Sequence, residues 1–138
     1  MQIEIIPKQD ATESQLRRIE SRLTAPEHKN DTGPPTIWDT LGYQPNLFIA
    51  VDASTGDPVG VLHRSGPLAL MDASWWLDSK HRGRRIGSKM IDAFATILVS
   101  EGVTNLAPIT IQTRQGEYDT ASRRLVGRLR ASIQKQLG

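Results

Sequence analysis

Between Trp75 and Met90 the chain changes character twice. An apolar run through Trp75, Trp76 and Leu77 has strand form. Asp78 to Arg85 is short, basic and broken by Gly83, and from Ile86 the apolar positions recur at helical spacing. A strand that gives way at once to such a loop and a helix admits few folds. The helix must cross back over the sheet, so helix and sheet form separate layers. The junction also builds an anion site. The first amides of a helix have no intrahelical partners, and its N-terminus carries a partial positive charge. Glycine lets the backbone approach an anion, and Arg82, Arg84, Arg85 and Lys89 add formal charge.

The rest of the chain supplies the layers. Gln2 to Ile6 reads as a strand ending at Pro7, and Thr12-Glu13-Ser14-Gln15 has capping-box form before Leu16, Ile19 and Leu23 at helical spacing. Ala25 to Pro35 reads as loop, and Trp38 with Leu41 suits a short helical turn. Leu47–Val51 and Val59–Leu62, separated by Ser54-Thr55-Gly56-Asp57, form a hairpin. Leu68 to Leu77 is expected to be a third antiparallel strand. A helix from about Arg85 to Glu101 presents Ile86, Met90, Phe94, Ile97 and Leu98 to the sheet and stops at Gly102. Ile109 and Ile111 mark another strand. A last helix from about Asp119 carries Leu125, Leu129, Ile133 and Leu137 on one face. The order is β-α-(α)-β-β-β-α-β-α: a mostly antiparallel sheet with one parallel crossover around the loop helix.

Composition narrows the chemistry. With 138 residues the chain suits one domain, taken as 1–138. No cysteine is present, which excludes disulfides, thiol nucleophiles and thiolate metal sites, and His28, His63 and His81 are scattered, so no metal is expected. Residues 1–69 carry a net charge of −3 and residues 70–138 one of +5, so the basic half holds the anion loop. No apolar run approaches a membrane span, and a cytoplasmic protein with no membrane partner is expected.

The loop lacks the Gly-Lys-Ser/Thr of a P-loop and the three glycines of the dinucleotide fingerprint. It resembles the acetyl-CoA pyrophosphate loop of the GNAT acetyltransferase superfamily, whose signature is Gln/Arg-x-x-Gly-x-Gly/Ala. Arg82 matches the first position and Gly87 the last; Arg85 stands where the family usually has its first glycine. An arginine there is expected to present its amide from ordinary helical geometry and to offer its side chain to a phosphate. The other reading of the loop is a strand–helix junction whose arginines are merely solvated. The element order resembles the GNAT order through its fourth main helix, so the resemblance covers nearly the whole chain; the family's usual final two strands are absent. It implies an α/β (α+β) fold with a splayed parallel strand pair for acetyl-CoA, formed by Asp72–Asp78 and Pro108–Thr113. The absent hairpin would leave sheet edge to be covered, and a homodimer is expected.

By the same resemblance, backbone groups near Trp76 and Leu77 bind the pantetheine, and amides from Arg82 to Ser88, including Gly83, Arg84, Arg85 and Gly87, hold the pyrophosphate. The Ser88 hydroxyl is placed to add one more bond. Many members carry an acid tyrosine on the last helix, seven residues after an asparagine. Aligning Asp119 with that asparagine places Val126 at the tyrosine, and Val126 has no proton to give. Tyr118 is the substitute acid and Glu117 the candidate base; packing at the helix start and pairing with Arg123 or Arg124 are their structural alternatives. Asp72, Ser74, Gln112 and Arg114 are polar positions on or beside the two central strands, and His63 is read as a strand residue facing solvent. Trp75 and Trp76 must point to opposite faces of their strand. Arg123, Arg124, Arg128 and Arg130 form no single stripe, since 124 and 128 share a face that 123 and 130 do not.

The resemblance implies an acetyl-CoA-dependent N-acetyltransferase acting on a primary amine by direct attack within a ternary complex; with no cysteine in the chain, no residue suits a covalent acetyl-enzyme. Two other readings remain open: a non-catalytic GNAT-like CoA-binding or protein-interaction module, and a nucleic-acid-binding protein using the basic C-terminal half. The amine acceptor is left undetermined, with a lean towards a macromolecule.

Overall fold

The computed structural model describes residues 1–23, 25–26, 46–65, 67–69, 71–81, 85–106 and 120–138. Among these residues four strands, β1 (Ile3–Pro7), β2 (Leu47–Asp52), β3 (Pro58–Ser65) and β4 (Asp72–Leu77), lie in the order β1-β2-β3-β4, each antiparallel to its neighbour. Helix α1 (Glu13–Leu23) covers one face of the sheet. Helices α2 (Ile86–Ser100) and α3 (Thr120–Leu137) share the other.

Local sequence explains the element ends. Thr12 and Gln15 form the expected reciprocal cap: the Thr12 amide donates to Gln15 Oε1 at 2.9 Å, and the Gln15 amide donates to Thr12 Oγ1 at 3.1 Å. At the end of α2, Gly102 takes φ +99°, a conformation that costs glycine little, and the Val103 amide returns to the Leu98 carbonyl. Alternation then sorts the strands. Ile49, Val61 and Trp76 pack with Ile19 and Leu47 on the α1 side, while Ala50, Leu62 and Leu77 join Ile86, Met90, Phe94 and Leu98 on the other. Phe48 meets Phe94 edge to face with ring centroids 5.8 Å apart. Trp75 and Trp76 do point to opposite faces, Trp76 buried on the α1 side and Trp75 half-buried against the α2–α3 cluster.

Three expectations are corrected. The strand drawn from Leu68 begins only at Asp72, because its ladder with β3 closes at Ser65↔Asp72. Leu68 lies in a turn, where its carbonyl accepts from the Thr104 amide, and the Met71 amide donates to Asn105. Ile97 is half-buried rather than central to the apolar stripe; α2 is pressed by the sheet and by α3 together, so Ile91 and Ala95 are enclosed instead. Leu137 is 49 % exposed, since the helix it ends runs past the core, and Leu125 is half-buried. Met71 and Leu106 form a parallel bridge, so the chain returning from α2 starts alongside β4 in the direction expected of the crossover. The turn at Trp38 and Leu41 and the strand at Ile109 and Ile111 lie outside the described residues.

Candidate functional site

Strand β4 delivers the chain to the end of the sheet where α2 begins. Its last pairs are Val61↔Trp76 and Gly60↔Leu77, and the ladder is prolonged by the Asp78 amide, which donates to the Val59 carbonyl at 2.8 Å. The His81 amide then donates to the Asp78 carbonyl at 2.9 Å, closing a turn of 3-10 helix over Ser79–His81. Close approach shapes this corner. A Cβ on Gly60 would stand 2.6 Å from the Trp76 carbonyl oxygen and 3.0 Å from Met90 Sδ, so only glycine allows β3, β4 and α2 to meet there.

Arg85 is the cap of α2, and its backbone sits at φ 62°, ψ 8°, the left-handed region. The expectation of ordinary helical geometry is therefore corrected. Arg85 holds a conformation that glycine adopts without cost, and holds it as the one non-glycine residue with positive φ among the described residues. The left-handed step turns the chain so that the helix can begin at Ile86, with the Lys89 amide donating to the Arg85 carbonyl. The Arg85 side chain makes no cap hydrogen bond and is exposed.

The two helices reinforce this end. A Cβ on Gly87 would lie at ordinary contact distance, 3.4 Å from Leu125 Cδ1 and 3.7 Å from Leu77 Cδ2, so the first turn of α2 packs on α3 and on the end of β4. Further along, Asp92 accepts from Arg128 Nε at 2.9 Å, from Arg128 Nη2 at 2.6 Å and from Ser132 Oγ at 2.9 Å. Those hydrogen bonds, led by Arg128, hold the Asp92 carboxyl below its ordinary pKa against partial desolvation, and raise that of Arg128 in turn. Successive contacts advance together on both helices, so α2 and α3 run in the same direction, with the first turn of α2 beside Leu125 in the second turn of α3. The positive end of α2 lies at the exit of β4.

Of the sequence candidates, Trp76 and Leu77 are buried at the end of β4, Ser88 is half-buried in the first turn of α2, and Arg85 and Gly87 flank that turn. Arg82, Gly83, Arg84, Glu117 and Tyr118 lie outside the described residues. Lys89 does not join the cluster: its ammonium donates to the Met1 carbonyl at 2.8 Å, on the side of α2 that faces β1. His63 is half-buried rather than turned to solvent. Desolvation, with a smaller push from Arg64, lowers its pKa. Val126 is 7 % exposed and packs in the α2–α3 core. Among the described residues no group of His, Asp and Glu could hold a metal ion, and no helix is long and apolar enough to cross a membrane.

One residue at this corner had no role in the sequence reading. Asp78 is 1 % exposed, the sole buried charged residue among those described, and its Oδ2 lies 3.8 Å from Arg22 Nε. Its signal in the sequence was phase: Asp78 continues the alternation of Trp76 and so must face the α1 side.

Neither a family model nor a curated protein matches the sequence. Solved structures do match the fold. An aminoglycoside acetyltransferase in complex with coenzyme A and kanamycin aligns with a TM-score of 0.61 at 14% identity, over 92% of this chain and 82% of that one. An acetyltransferase from Agrobacterium tumefaciens aligns with a TM-score of 0.61 at 15% identity, over 92% and 78%. A ribosomal-protein-S5-alanine acetyltransferase from Vibrio fischeri gives 0.57 at 14% identity, over 92% and 76%.

Proposed function

We propose that this chain, which has the fold of the GNAT acetyltransferases, is an acetyl-CoA-dependent N-acetyltransferase that acts on a primary amine by direct attack in a ternary complex. The observation that carries the reading is Arg85: a non-glycine residue keeps left-handed backbone geometry at the position where the resembled loop has glycine. Strain of that kind persists where the surroundings require the geometry. Here the geometry opens the first amides of α2 at the exit of β4, which suits a pyrophosphate. The one buried carboxylate nearby, Asp78, is on the opposite face of the sheet and is approached by Arg22. Solved structures with the same fold contain coenzyme A or acetyl-CoA.

In this reading the backbone at Trp76 and Leu77 holds the pantetheine arm. Arg82, Gly83, Arg84, Arg85, Gly87 and Ser88 hold the phosphates, by amides and by the added guanidinium of Arg85. Bound there, acetyl-CoA supplies an activated acyl group. The amine nitrogen attacks the thioester carbonyl carbon, the carbon–sulfur bond breaks, and the proton lost from nitrogen must reach a base while the thiolate gains one. Glu117 is proposed as that base and Tyr118 as the acid, because Val126 is enclosed in the core and offers no proton. A thiolate is a tolerable leaving group at neutral pH, so the acid assists rather than permits the step. The protein is proposed to work as one domain over 1–138, as a homodimer in the cytoplasm.

The test is calorimetric titration with acetyl-CoA, followed by thiol release with a panel of small amines and N-terminal peptides. The expected result is micromolar binding, weakened about tenfold by Arg82→Ala as one charge-assisted phosphate contact is lost. No binding by the unaltered protein at near-physiological salt overturns the reading. The core position of Val126 favours one alternative, a CoA-binding module without turnover; binding with no thiol release from any amine would establish it.

A further inference from the structure

The buried carboxylate of Asp78 follows directly on β4, on the α1 side of the sheet, and takes no part in the chemistry assigned to the site. It belongs to a junction of three elements. Arg22, in the last turn of α1, places Nη2 3.0 Å from both carboxylate oxygens of Asp57 in the β2–β3 turn, and Nη1 donates to the Pro58 carbonyl. Its Nε faces Asp78 Oδ2 at 3.8 Å, and Arg18 lies 3.5 Å from Asp57 on the outer side. Two guanidinium groups therefore face two carboxylates. One guanidinium spans the end of α1, the start of β3 and the exit of β4.

Buried ion pairs are weak devices for stability, because apolar residues of similar volume often do as well, while loss of one partner leaves a charge stranded. Their use is to select one arrangement. What Asp78 selects is the direction in which the chain leaves β4: its amide donates to Val59, its carbonyl accepts from His81, and its Oδ2 faces the Arg22 guanidinium across 3.8 Å as a charge pair. Every residue proposed to hold the pyrophosphate follows within the next ten positions. Arg22, for its part, is followed one residue later by the end of α1, from which the chain enters the 24–45 segment.

We propose that Arg22 and Asp78 are positioning residues: their ion pair clamps the β4 exit to the end of α1 and so presets the pyrophosphate loop for the cofactor. The inference rests on the acetyl-CoA reading for its kinetic consequence, but not for its structural one. Arg22 touches no substrate; it acts through Asp78 and the backbone that Asp78 directs.

The experiment compares Arg22→Met, Arg22→Lys and Asp78→Asn with a control, Arg64→Met. That control breaks a two-bond pair with Glu101 (3.1 and 2.8 Å) at the far end of α2. Arg22→Met and Asp78→Asn are expected to raise the KM for acetyl-CoA about tenfold while kcat moves less than about threefold, since a displaced loop weakens binding rather than the chemical step. Arg22→Lys keeps the charge without the fork, so its KM is expected between Arg22→Met and the unaltered protein. The double variant should be no worse than Arg22→Met alone, because that substitution has already severed the link to Asp78. A ligand-free readout keeps the clamp separate from the proposed activity. Backbone amide exchange in the segment 78–90 of the unliganded protein should quicken about tenfold in Arg22→Met and stay unchanged in Arg64→Met, with strand 47–52 protected in both. If exchange in 78–90 is unaltered in Arg22→Met, or rises equally in Arg64→Met, the clamp is refuted whether or not acetyl-CoA binds. If exchange rises as expected but the unaltered protein binds no acetyl-CoA, the clamp stands and the enzyme reading falls.

Discussion

Replacing Arg85 by glycine is expected to stabilise the fold and weaken the anion site, two effects of opposite sign from one substitution. A side chain in the left-handed region costs about 1–2 kcal/mol, from the approach of Cβ to the following carbonyl oxygen. Glycine removes that cost but loses about 0.5–1 kcal/mol through its freer unfolded chain. The Arg85 side chain makes no cap hydrogen bond, so its deletion forfeits nothing at the helix start. The net gain is about 0.5–1 kcal/mol, which for a chain of this length raises Tm by about 2–4 °C. Arg85→Ala is the informative partner. It keeps the strained backbone and loses the same charge, so its Tm should stay within about 1 °C of the unaltered protein. Both variants should bind acetyl-CoA a few-fold more weakly, by an amount that shrinks as salt is raised. Thermal unfolding followed by circular dichroism without ligand, and titration at two salt concentrations, read the two effects separately. If Arg85→Gly is no more stable than Arg85→Ala, the left-handed geometry is not a strain that the fold retains, and the observation behind the proposed function loses its meaning.

Gly60→Ala is expected to cost about 1–3 kcal/mol in chemical denaturation, because its Cβ meets the Trp76 carbonyl oxygen, a backbone atom that has little room to yield; a loss below about 0.5 kcal/mol would mean that β3 and α2 are less closely packed than described. His63 has a lowered pKa from desolvation first and Arg64 second, so the unfolded chain binds its proton more readily than the folded one. Stability from neutral His63 is then present above its ordinary value of 6.5 and lost as pH falls through that value to the lower folded one. Denaturation at pH 7.5 and 5.5 should show a loss in the unaltered protein that His63→Gln does not share. Val126→Tyr, which restores the family's acid in sequence, should cost about 1–3 kcal/mol and leave thiol release unimproved, since the position faces the core; a gain in rate would show that the last helix turns its other face to the site.

Much of this was legible in order and phase. The cap at Thr12 and Gln15, the hairpin at Gly56, the stop at Gly102 and the split of Trp75 from Trp76 follow from short-range rules, because each depends on residues within a turn or a pleat of one another. The strand–loop–helix junction was visible for the same reason. Gly87 shows where that reasoning stops. Sequence alone reads it as room for an anion, whereas in the fold it also faces Leu125, about forty positions away. The same spacing problem hid the partner of Lys89, which proves to be the Met1 carbonyl.

By itself, then, the sequence determined the alternation of strands and helices, the basic loop at the start of α2 and the absence of thiol chemistry, all properties of neighbouring residues and of composition. Tertiary structure alone decided that Arg85 bears a glycine's conformation, that Val126 is enclosed, and that Asp78 is buried against Arg22. Backbone strain, burial and charge pairing arise from what packs around a residue, and for these three the surroundings come from distant parts of the chain.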